Sequence, residues 1–364
     1  MMREGFTTGA CAAAAALASC LTRRDGECPP RVEIVLPDGR SFAPEILPHD
    51  DFTCGVIKDA GDDPDITNGC EVRARVEPGE RPGPVSFRAG EGVGVVTGPG
   101  LKLPPGEAAV NPAPREMIER AVRSVFGPAS AVVTVSIPGG AALARKTFNP
   151  RLGVEGGLSI LGTTGVVRPM SEEALKETIQ LELRVHRTRG REALALTFGN
   201  QGEEAAKRAF PTVPVAQMSN FVGFALDEAA RLGFTRLLVA GHPGKLVKVS
   251  AGVMQTHNLY ADARREAVIA VLARMGAPWA LVESVHGCKT TEAMVEAIRG
   301  ARYQAVWDRL ADAAAEYCEA RVRGALEIDA AFLDGAEVLG VSGRIRRDQN
   351  RWRKGERVHG TDGN

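Results

Sequence analysis

The residues EALALTFGNQG at 192–202 contain the pattern that predicts the fold of the second half of the chain. Its first part is an apolar run of the length of a buried strand, and the glycine-containing loop at 199–202 leads directly into a helical pattern that starts at Glu203. The same order of strand, short loop and helix recurs at 213–232 and again from residue 236. This alternation predicts a parallel β-sheet that is covered by helices.

The first part of the chain has a less regular pattern. Thr7, Thr8 and Gly9 precede an alanine-rich run at 10–21, and a threonine in that place can cap a helix by accepting a backbone N–H. Strands are expected at 31–36, 40–46, 71–76, 84–88 and 131–137, a helix is expected at 115–126, and the Gly/Pro-rich stretch 90–114 contains little helix. Such an irregular mixture predicts an α+β fold.

These patterns divide the chain into three parts. Residues 1–168 are expected to form the α+β domain, and residues 169–342 an α/β Rossmann-like domain with a parallel sheet. Within the second domain helices dominate from 264 to 323, and 337–341 is expected to add a last strand. The Arg-rich end at 343–364 is expected to be a flexible tail.

Composition excludes several classes of protein. A length of 364 residues suggests two domains, and 44% hydrophobic with 25% charged residues is typical of soluble globular chains. The 45 Lys and Arg residues balance 45 Asp and Glu residues, which argues against a dedicated nucleic-acid binder. An aromatic content of only 5% argues against a platform for stacking bases.

The cysteines and the alanine run indicate a cytoplasmic protein. Seven cysteines are an odd number and include no CxxC pair, so a disulfide framework or a structural zinc site is disfavoured. The alanine run is interpreted as a helix rather than a signal peptide, since Glu4 occupies the region that would have to be positive. Every apolar stretch is too short to span a bilayer, so no membrane partner is expected.

Three strand ends carry sequences that suit a ligand. The loops at 199–202, 219–220 and 241–244 follow neighbouring predicted strands, and ligands of open parallel sheets bind at the carboxyl ends of the strands. Glycines let a backbone approach a ligand, and the following helix N-termini present free N–H groups. The alternative is that these glycines only make tight strand–helix turns. Neither a P-loop nor a G-x-G-x-x-G fingerprint is present.

Two other segments are unusual in charge. The segment 58–65 holds four aspartates, which leaves a cation site and a solvated turn as alternatives. The segment 139–170 holds four basic residues and one acid, Glu155, which suits an anionic ligand. The chain has no HExxH motif, His/Cys cluster or G-x-S-x-G elbow, so neither a protein-bound catalytic metal nor an α/β-hydrolase site is expected.

Long motifs run through most of the chain up to about residue 340. They are REGFTTG at 3–9, KDAGDDPD at 58–65, GVVTGPGL at 94–101, NPAPR at 111–115, NPRLG at 149–153, SILGTTG at 159–165, GH with GKLVK at 241–248, and TH with ADAR at 256–264. In these motifs the chain strongly resembles the CbiD family, the cobalt-precorrin-5B C1-methyltransferases of the anaerobic route to cobalamin. It departs from the usual family pattern at Phe198, Gln201 and Pro243.

The resemblance implies transfer of a methyl group from S-adenosylmethionine to C1 of cobalt-precorrin-5B, which gives cobalt-precorrin-6A. The cobalt would arrive with the tetrapyrrole substrate, so the protein needs no metal site of its own. An alternative from another class is a corrinoid carrier that binds pathway intermediates without chemistry. Handover to other cobalamin-pathway enzymes and formation of a homo-oligomer are left open.

On this resemblance we expect S-adenosylmethionine to lie across the strand-end loops. One observation argues against this placement. Many methyltransferases bind the cofactor ribose with an acid at the end of the second strand, and Ser219 and Asn220 occupy that place here. Thr7, Thr8, Lys58 and Asp59 are expected to form one wall of the tetrapyrrole cleft, facing the cofactor domain. The expected cofactor-binding residues are Gly199, Asn200, Gly202, Asn220, Gly241 and Gly244. The expected substrate-binding residues are Thr7, Thr8, Lys58, Arg151, Thr163, Thr164, Lys245, Lys248 and Arg264, and the expected catalytic residues are Asp59, Asp62, His242 and His257.

Overall fold

The structure, a computed structural model, describes residues 2–169 and 171–352. The chain divides into two units, Met1–Glu172 and Glu173–Asn364. The mixed α/β character expected from the sequence, with a sheet that includes parallel strands, is confirmed. Among the described residues, no helix combines the length and the apolar character needed to cross a membrane.

The first unit contains one five-stranded sheet and three small two-stranded sheets. The strand order is β4-β5-β6-β9-β7, and only the β7–β9 pair is parallel. The elements of this unit are β1 (Gly5–Phe6), α1 (Thr8–Asp25), β2 (Ile34–Val35), β3 (Ser41–Phe42), β4 (Leu47–Pro48), β5 (Cys54–Ile57), β6 (Glu71–Pro82), β7 (Val85–Ala89), β8 (Val95–Val96), α2 (Pro112–Phe126), β9 (Ala129–Ser136), α3 (Gly140–Ala144), α4 (Asn149–Leu152), β10 (Val154–Glu155) and β11 (Val166–Val167).

The alanine-rich helix α1 is the centre of this unit. Thr7 caps it as expected, since its Oγ1 accepts the N–H of Ala10 at 3.1 Å. The alanines of its first two turns are fully buried, and their small side chains let the helix pack closely on β6 and α2. Gly9 is part of this close approach, because a Cβ there would lie 2.7 Å from Pro114 Cγ and 2.8 Å from the Leu161 carbonyl oxygen.

The second unit is built on a sheet of strand order β13-β12-β14-β15-β16, in which only β16 is antiparallel to its neighbour. Apolar residues of β12, β14 and β15 are buried on both faces of this sheet. Its elements are α5 (Glu172–Thr188, which begins at the unit boundary), β12 (Ala193–Thr197), α6 (Asn200–Ala209), β13 (Val215–Gln217), α7 (Val222–Arg231), β14 (Arg236–Gly241), α8 (Pro243–Val249), α9 (Arg264–Arg274), α10 (Trp279–Gly287), α11 (Thr291–Gly300), α12 (Ala305–Arg321), β15 (Glu327–Asp334), β16 (Glu337–Val341) and α13 (Gly343–Arg347).

The strand order reverses between β12 and β14. From β12 the chain moves outward to β13 and then returns to the other side of β12, where β14 and β15 follow. In open α/β sheets the carboxyl ends of the two strands that flank such a reversal leave a crevice between the diverging connections. The loops that follow β12 and β14 therefore stand at the favoured ligand position of this sheet.

Strand β15 was not expected from the sequence. It pairs with β14 along its length, and its inner residues are buried although Asp329 lies among them. The Asp329 carboxylate is fully buried and accepts bonds from Ser342 Oγ at 3.1 Å, Arg351 Nε at 2.6 Å and Trp352 Nε1 at 2.8 Å. These partners compensate the cost of burying a charge, and none of them is adjacent to Asp329 in sequence.

The same contacts change the interpretation of the Arg-rich end. Its first part forms α13, and Trp352 is only 4% exposed and packs in an apolar cluster with residues of the sheet. Residues 343–352 are therefore packed rather than a frayed tail, because Asp329 requires Arg351 and Trp352 as partners. Residues 353–364 of the expected tail lie outside the described residues.

His186 makes the second unit sensitive to acid. Its ring is buried on α5, its Nδ1 accepts from Arg191 Nη1 at 2.6 Å, and burial together with the nearby Arg191 and Arg189 lowers its pKa to about 4. An unfolded histidine takes up a proton below about pH 6.5, whereas the folded ring stays neutral down to about pH 4. The stability that this group contributes is therefore complete above pH 6.5 and is lost as the pH falls toward 4.

We expect the His186→Gln variant to lose less stability on acidification than the wild type. Between pH 6.5 and pH 4 the wild type should lose about 3 kcal/mol more than the variant, because glutamine accepts from Arg191 but does not titrate. Urea unfolding across this pH range measures the difference. Parallel pH profiles for the two proteins would contradict the assignment to His186.

Candidate functional site

The loops after β12 and β14 meet at the point where the strand order reverses. Gly199 has φ 153° and ψ −169°, a backbone conformation essentially restricted to glycine, and a Cβ there would find no atom within 4 Å. A Cβ on Gly241 would lie 2.5 Å from a ring carbon of Phe198, so the two loops are in direct contact. Gly199 thus faces open space beside a closely packed pair of loops.

Asn200 is held in place by the end of the neighbouring strand. Gln217, the last residue of β13, donates from Nε2 to Asn200 Oδ1 at 2.8 Å and to Glu203 Oε2 at 2.6 Å. Its backbone N–H donates to Glu182 Oε2 at 3.0 Å, and Glu182 and Glu203 are both 3% exposed. The network orients the Asn200 amide at the start of α6. Gly202, two residues further along in the same turn, would place a Cβ 3.5 Å from Thr197.

Sequence analysis missed the acids at this strand end. The predicted second strand ends at Gln217, as β13 does, and the loop at 219–220 that follows it carries no acid. Glu182 lies on α5 and Glu203 on α6, both of which precede β13 in the chain, so only the packing of these helices brings the two carboxylates to the end of β13.

Asn220 links the second loop to α8 instead. Its Oδ1 accepts from Lys245 Nζ at 2.9 Å and from Thr256 Oγ1 at 3.1 Å, and its carbonyl accepts the N–H of Thr256 at 3.0 Å. Lys245 is half-buried, and burial followed by the charge of Arg264 lowers its pKa. The loop at 219–220, α8 and the segment around Thr256 therefore form one hydrogen-bonded group.

His242 is the N-cap of α8 and has a fixed orientation. Its Nδ1 accepts the N–H of Gly244 at 3.1 Å, which leaves Nε2 to carry the proton of the neutral ring. Nε2 lies 3.8 Å from Glu292 Oε1 and 3.8 Å from Asp334 Oδ1. A hydrogen bond from its own backbone N–H, and the charge of His242 among smaller causes, lower the pKa of Glu292. Neither carboxylate was predicted from the sequence: Asp334 ends the unexpected strand β15, and Glu292 lies on α11, 50 residues after His242 in the chain.

His257 has a different environment. It is exposed, and its Nδ1 accepts the N–H of Leu259 at 3.3 Å within a local turn. Its neighbour Thr256 joins that turn to Asn220, but no bond between His257 and His242 is found in the described residues. The structure therefore brings His242 to the strand ends and leaves His257 on a surface turn.

Lys248 differs from the expectation that it holds a carboxylate of the substrate. It is fully buried, and its ammonium donates to the Thr256 carbonyl at 3.1 Å, to Asn258 Oδ1 at 2.7 Å and to the Ala261 carbonyl at 2.9 Å. Burial lowers its pKa. The three bonds consume its hydrogen-bonding capacity, so Lys248 holds the segment 256–261 from inside.

Arg264 follows this segment in the chain and forms an ion pair with Asp262. Its Nε and Nη2 donate to the two carboxylate oxygens of Asp262, each at 2.6 Å, and this pairing lowers the pKa of Asp262 to about 2. About a quarter of the Arg264 side chain is exposed. The guanidinium thus has a fixed orientation and remains accessible at its edge.

In the first unit, the start of α1 is hydrogen-bonded to the segment 161–165, which contains the predicted substrate-binding residues Thr163 and Thr164. Thr8 Oγ1 accepts the N–H of Leu161 at 2.9 Å, and the N–H of Thr7 donates to the Gly165 carbonyl at 3.0 Å. Both threonines are almost fully buried, whereas Thr163 and Thr164 are exposed. The structure therefore brings these four residues to one end of α1, with the last two at the surface.

Charged side chains of the acidic segment 58–65 are paired, partly within the segment and partly with Arg3. The Lys58 side chain is 1% exposed, and its ammonium contacts Asp65 Oδ2 at 2.8 Å. The Arg3 guanidinium binds the carboxylate of Asp59 and holds its pKa below the usual range, while the Arg3 N–H donates to Asp62 Oδ2 at 2.6 Å. Lys58 therefore differs from the expected substrate contact, because its charge is buried against Asp65.

The four basic residues of the segment 139–170 are exposed, and its last residue, Met170, lies outside the described residues. Arg151 is exposed on α4, with its guanidinium 5.4 Å from the centre of the Phe148 ring. Arg168 is exposed and pairs with Glu4 at 3.3 Å. No group of three or more His, Cys, Asp or Glu residues that could bind a metal ion is found within 2–169 and 171–352.

Comparisons with known proteins agree with the resemblance to the CbiD family that the sequence motifs indicate. The family model described as CbiD matches residues 1–169, and the model described as CbiD, C-terminal domain, matches residues 255–343. The cobalt-precorrin-5B C(1)-methyltransferase of Desulfitobacterium hafniense (strain Y51) is 44% identical over 336 residues, which cover 91% of this chain and 87% of that relative. The enzyme of the same name from Moorella thermoacetica is 40% identical over 359 residues, which cover 96% of this chain and 98% of that relative.

A solved structure is also similar in sequence. The 1.9 Å crystal structure of cobalamin biosynthesis protein (cbiD) from Archaeoglobus fulgidus is 29% identical, and the match covers 73% of this chain and 84% of that chain. Its TM-score of 0.39 is too low for the match to support any statement about the fold.

Proposed function

The chain belongs to the CbiD family, and we propose that it transfers a methyl group from S-adenosylmethionine to C1 of cobalt-precorrin-5B, giving cobalt-precorrin-6A in anaerobic cobalamin biosynthesis. The observation that carries the proposal is the similarity, over nearly the whole length of both chains, to curated enzymes named for this reaction. Cobalt enters this reaction as part of the substrate.

We assign the methyl donor to the loops at the carboxyl ends of β12 and β14. In this proposal the unit is Rossmann-like, and the donor lies against Gly199, Gly202, Gly241 and Gly244. The support is the open space at Gly199 and the orientation of the Asn200 amide at the start of α6. Free N–H groups of that first turn suit a carboxylate or hydroxyl oxygen. When bound, S-adenosylmethionine supplies an electrophilic methyl group.

Rigid positioning is the main contribution that we assign to the protein. The loops are locked by the Gln217 and Asn220 hydrogen bonds, so the reacting groups can be held in line without reorganisation. Alignment of two bound reactants corresponds to effective concentrations of ~10⁵–10⁸ M. His242 is the group that we assign to proton transfer with the tetrapyrrole, because its ring is fixed and its Nε2 faces two carboxylates.

The carboxylates of the tetrapyrrole require cations and polar groups. Lys245 and Arg264 are the basic residues near the strand ends that keep accessible surface, and we assign them to the substrate. In the first unit we assign Arg151, Thr163 and Thr164, since these side chains are exposed. Arg264 can bind a further acidic group through the guanidinium edge that Asp262 leaves open.

The location of the protein is part of the same proposal. All seven cysteines are free thiols, which suits a reducing compartment such as the cytoplasm. Handover of the product to another cobalamin-pathway enzyme is consistent with this location.

We expect the purified protein to methylate cobalt-precorrin-5B under anaerobic conditions. With S-adenosylmethionine carrying a ¹³C-labelled methyl group, the label should appear at C1 of the product, and S-adenosylhomocysteine should accumulate in equal amount. Mass spectrometry and NMR measure the two products, and reactions without protein or without the donor are the controls. Binding of the tetrapyrrole without release of S-adenosylhomocysteine would instead favour a carrier.

A further inference from the structure

A cavity of about 260 Å³ lies beside the start of α11 in the second unit. Its floor includes the buried side chain of Met294, and its walls carry mostly polar and charged groups. The lining residues are Asp262, Arg264, Arg265, Cys288, Lys289, Thr290 and Met294.

The lining has an excess of positive charge. Three cations face one acid, and that acid, Asp262, is paired on both oxygens with Arg264. Arg265 uses one of its five donors on the His286 carbonyl at 3.2 Å. Lys289 is exposed, and no ion pair of its ammonium is found in the described parts of the chain. Two positive charges are therefore left without an acidic partner in the cavity lining.

The N-terminus of α11 adds to the positive charge of the cavity lining. Thr290 caps the helix by accepting the N–H of Ala293 at 3.2 Å, and the helix has ten residues. The N–H of Glu292 is bonded to its own carboxylate, and the remaining N–H groups of the first turn give this end a partial positive charge. Together with Arg265 and Lys289, they form a concave surface that favours an anion.

The cavity adjoins the loop that follows β14. A Cβ on Gly244 would lie 3.6 Å from Thr291 Oγ1, in the first turn of α11. The acid in that turn, Glu292, lies 3.8 Å from His242 Nε2, and its charge also acts on Arg264. The cavity is smaller than the usual pocket of a drug-sized ligand, so it fits one acidic arm and not a whole tetrapyrrole.

We propose that this cavity is a carboxylate-binding subsite, in which Arg265 and Lys289 bind one carboxylate of a reactant while Arg264 is oriented by Asp262. This inference rests on the proposed function. Two reactants carry such a group: the tetrapyrrole has acetate and propionate arms, and S-adenosylmethionine has the carboxylate of its methionine part. Recognition through Arg265 and Lys289 has the same chemistry in both cases.

The test is the double variant Arg265→Gln/Lys289→Gln. Calorimetry measures the dissociation constants of S-adenosylmethionine and of cobalt-precorrin-5B separately, for wild type and variant. We expect the variant to bind one of them at least about tenfold more weakly, as expected for the loss of charge-assisted hydrogen bonds. A loss confined to the tetrapyrrole identifies its arm as the occupant, and a loss confined to the methyl donor identifies the methionine carboxylate.

The control is Arg302→Gln/Arg309→Gln, which removes the same charge from exposed positions of the same unit. Both double variants should keep the melting temperature of the wild type, because all four side chains are exposed. Unchanged affinity of Arg265→Gln/Lys289→Gln for both reactants, in a protein whose wild type binds and methylates normally, would overturn the subsite alone. A wild type that binds neither reactant would overturn the proposed function together with it.

Discussion

Replacement of Lys248 by methionine is expected to lower the free energy of unfolding by about 3–5 kcal/mol. The ammonium is fully buried and donates to three oxygens of the segment 256–261. Methionine has a similar length but no donor, so the buried Thr256 carbonyl, the part-buried Ala261 carbonyl and the Asn258 amide oxygen would lose this partner. The segment would then either rearrange or keep unsatisfied oxygens, and both outcomes cost stability.

Urea unfolding of Lys248→Met and Lys289→Met measures the effect. Lys289 is exposed, so its replacement should change stability by less than about 0.5 kcal/mol. The experiment also separates two roles for Lys248. If Lys248→Met kept the stability of the wild type and lost only affinity for the tetrapyrrole, the ammonium would have to leave its buried position to reach the substrate, and the internal role would be wrong.

Replacement of Gly199 by valine is expected to weaken binding of S-adenosylmethionine by about 100-fold, or ~2.7 kcal/mol. The backbone conformation at Gly199 costs a non-glycine residue about 1–3 kcal/mol. In addition, the valine side chain would extend into the open space where we propose the ligand to lie. The backbone strain and the loss of space both weaken the binding of S-adenosylmethionine, whereas the affinity for the tetrapyrrole should change little.

A matched glycine separates these two causes. Gly190 also has a positive φ, of 75°, and a Cβ there would likewise meet no atom within 4 Å, but it lies in the turn before β12, at the opposite end of that strand. Gly190→Val should therefore show the strain without the loss of affinity. Gly241→Val is a second site variant, since its side chain would collide with Phe198. Calorimetry that finds unchanged affinity in both Gly199→Val and Gly241→Val would place the methyl donor elsewhere.

Local patterns in the sequence were sufficient to predict much of the secondary structure. The cap at Thr7, the alternation of β12, α6, β13, α7 and β14, and the loops at their ends all depend on residues within one turn or one strand of each other. The topology then brings the first and third loops together, because parallel strands place their carboxyl ends at one edge of the sheet.

Strand β15 shows where local patterns failed. Its central position depends on pairing with β14, and its buried Asp329 depends on Arg351 and Trp352, which lie more than 20 residues further along. A carboxylate inside a short apolar run argues against a buried strand unless its partners are known. The same dependence explains why the end of the chain was expected to be frayed and is packed up to residue 352.

The family, the order of the main elements and the loops that carry His242 and Gly199 could all be predicted from local sequence. Which charged side chains are available to a ligand could not be predicted in this way, because it depends on the folded structure. Lys58 and Lys248 look like surface cations in the sequence, yet both are buried, whereas Arg265 and Lys289 line an open cavity. This difference depends on partners that are brought together by folding: Asp65 holds the ammonium of Lys58, and the segment 256–261 holds that of Lys248.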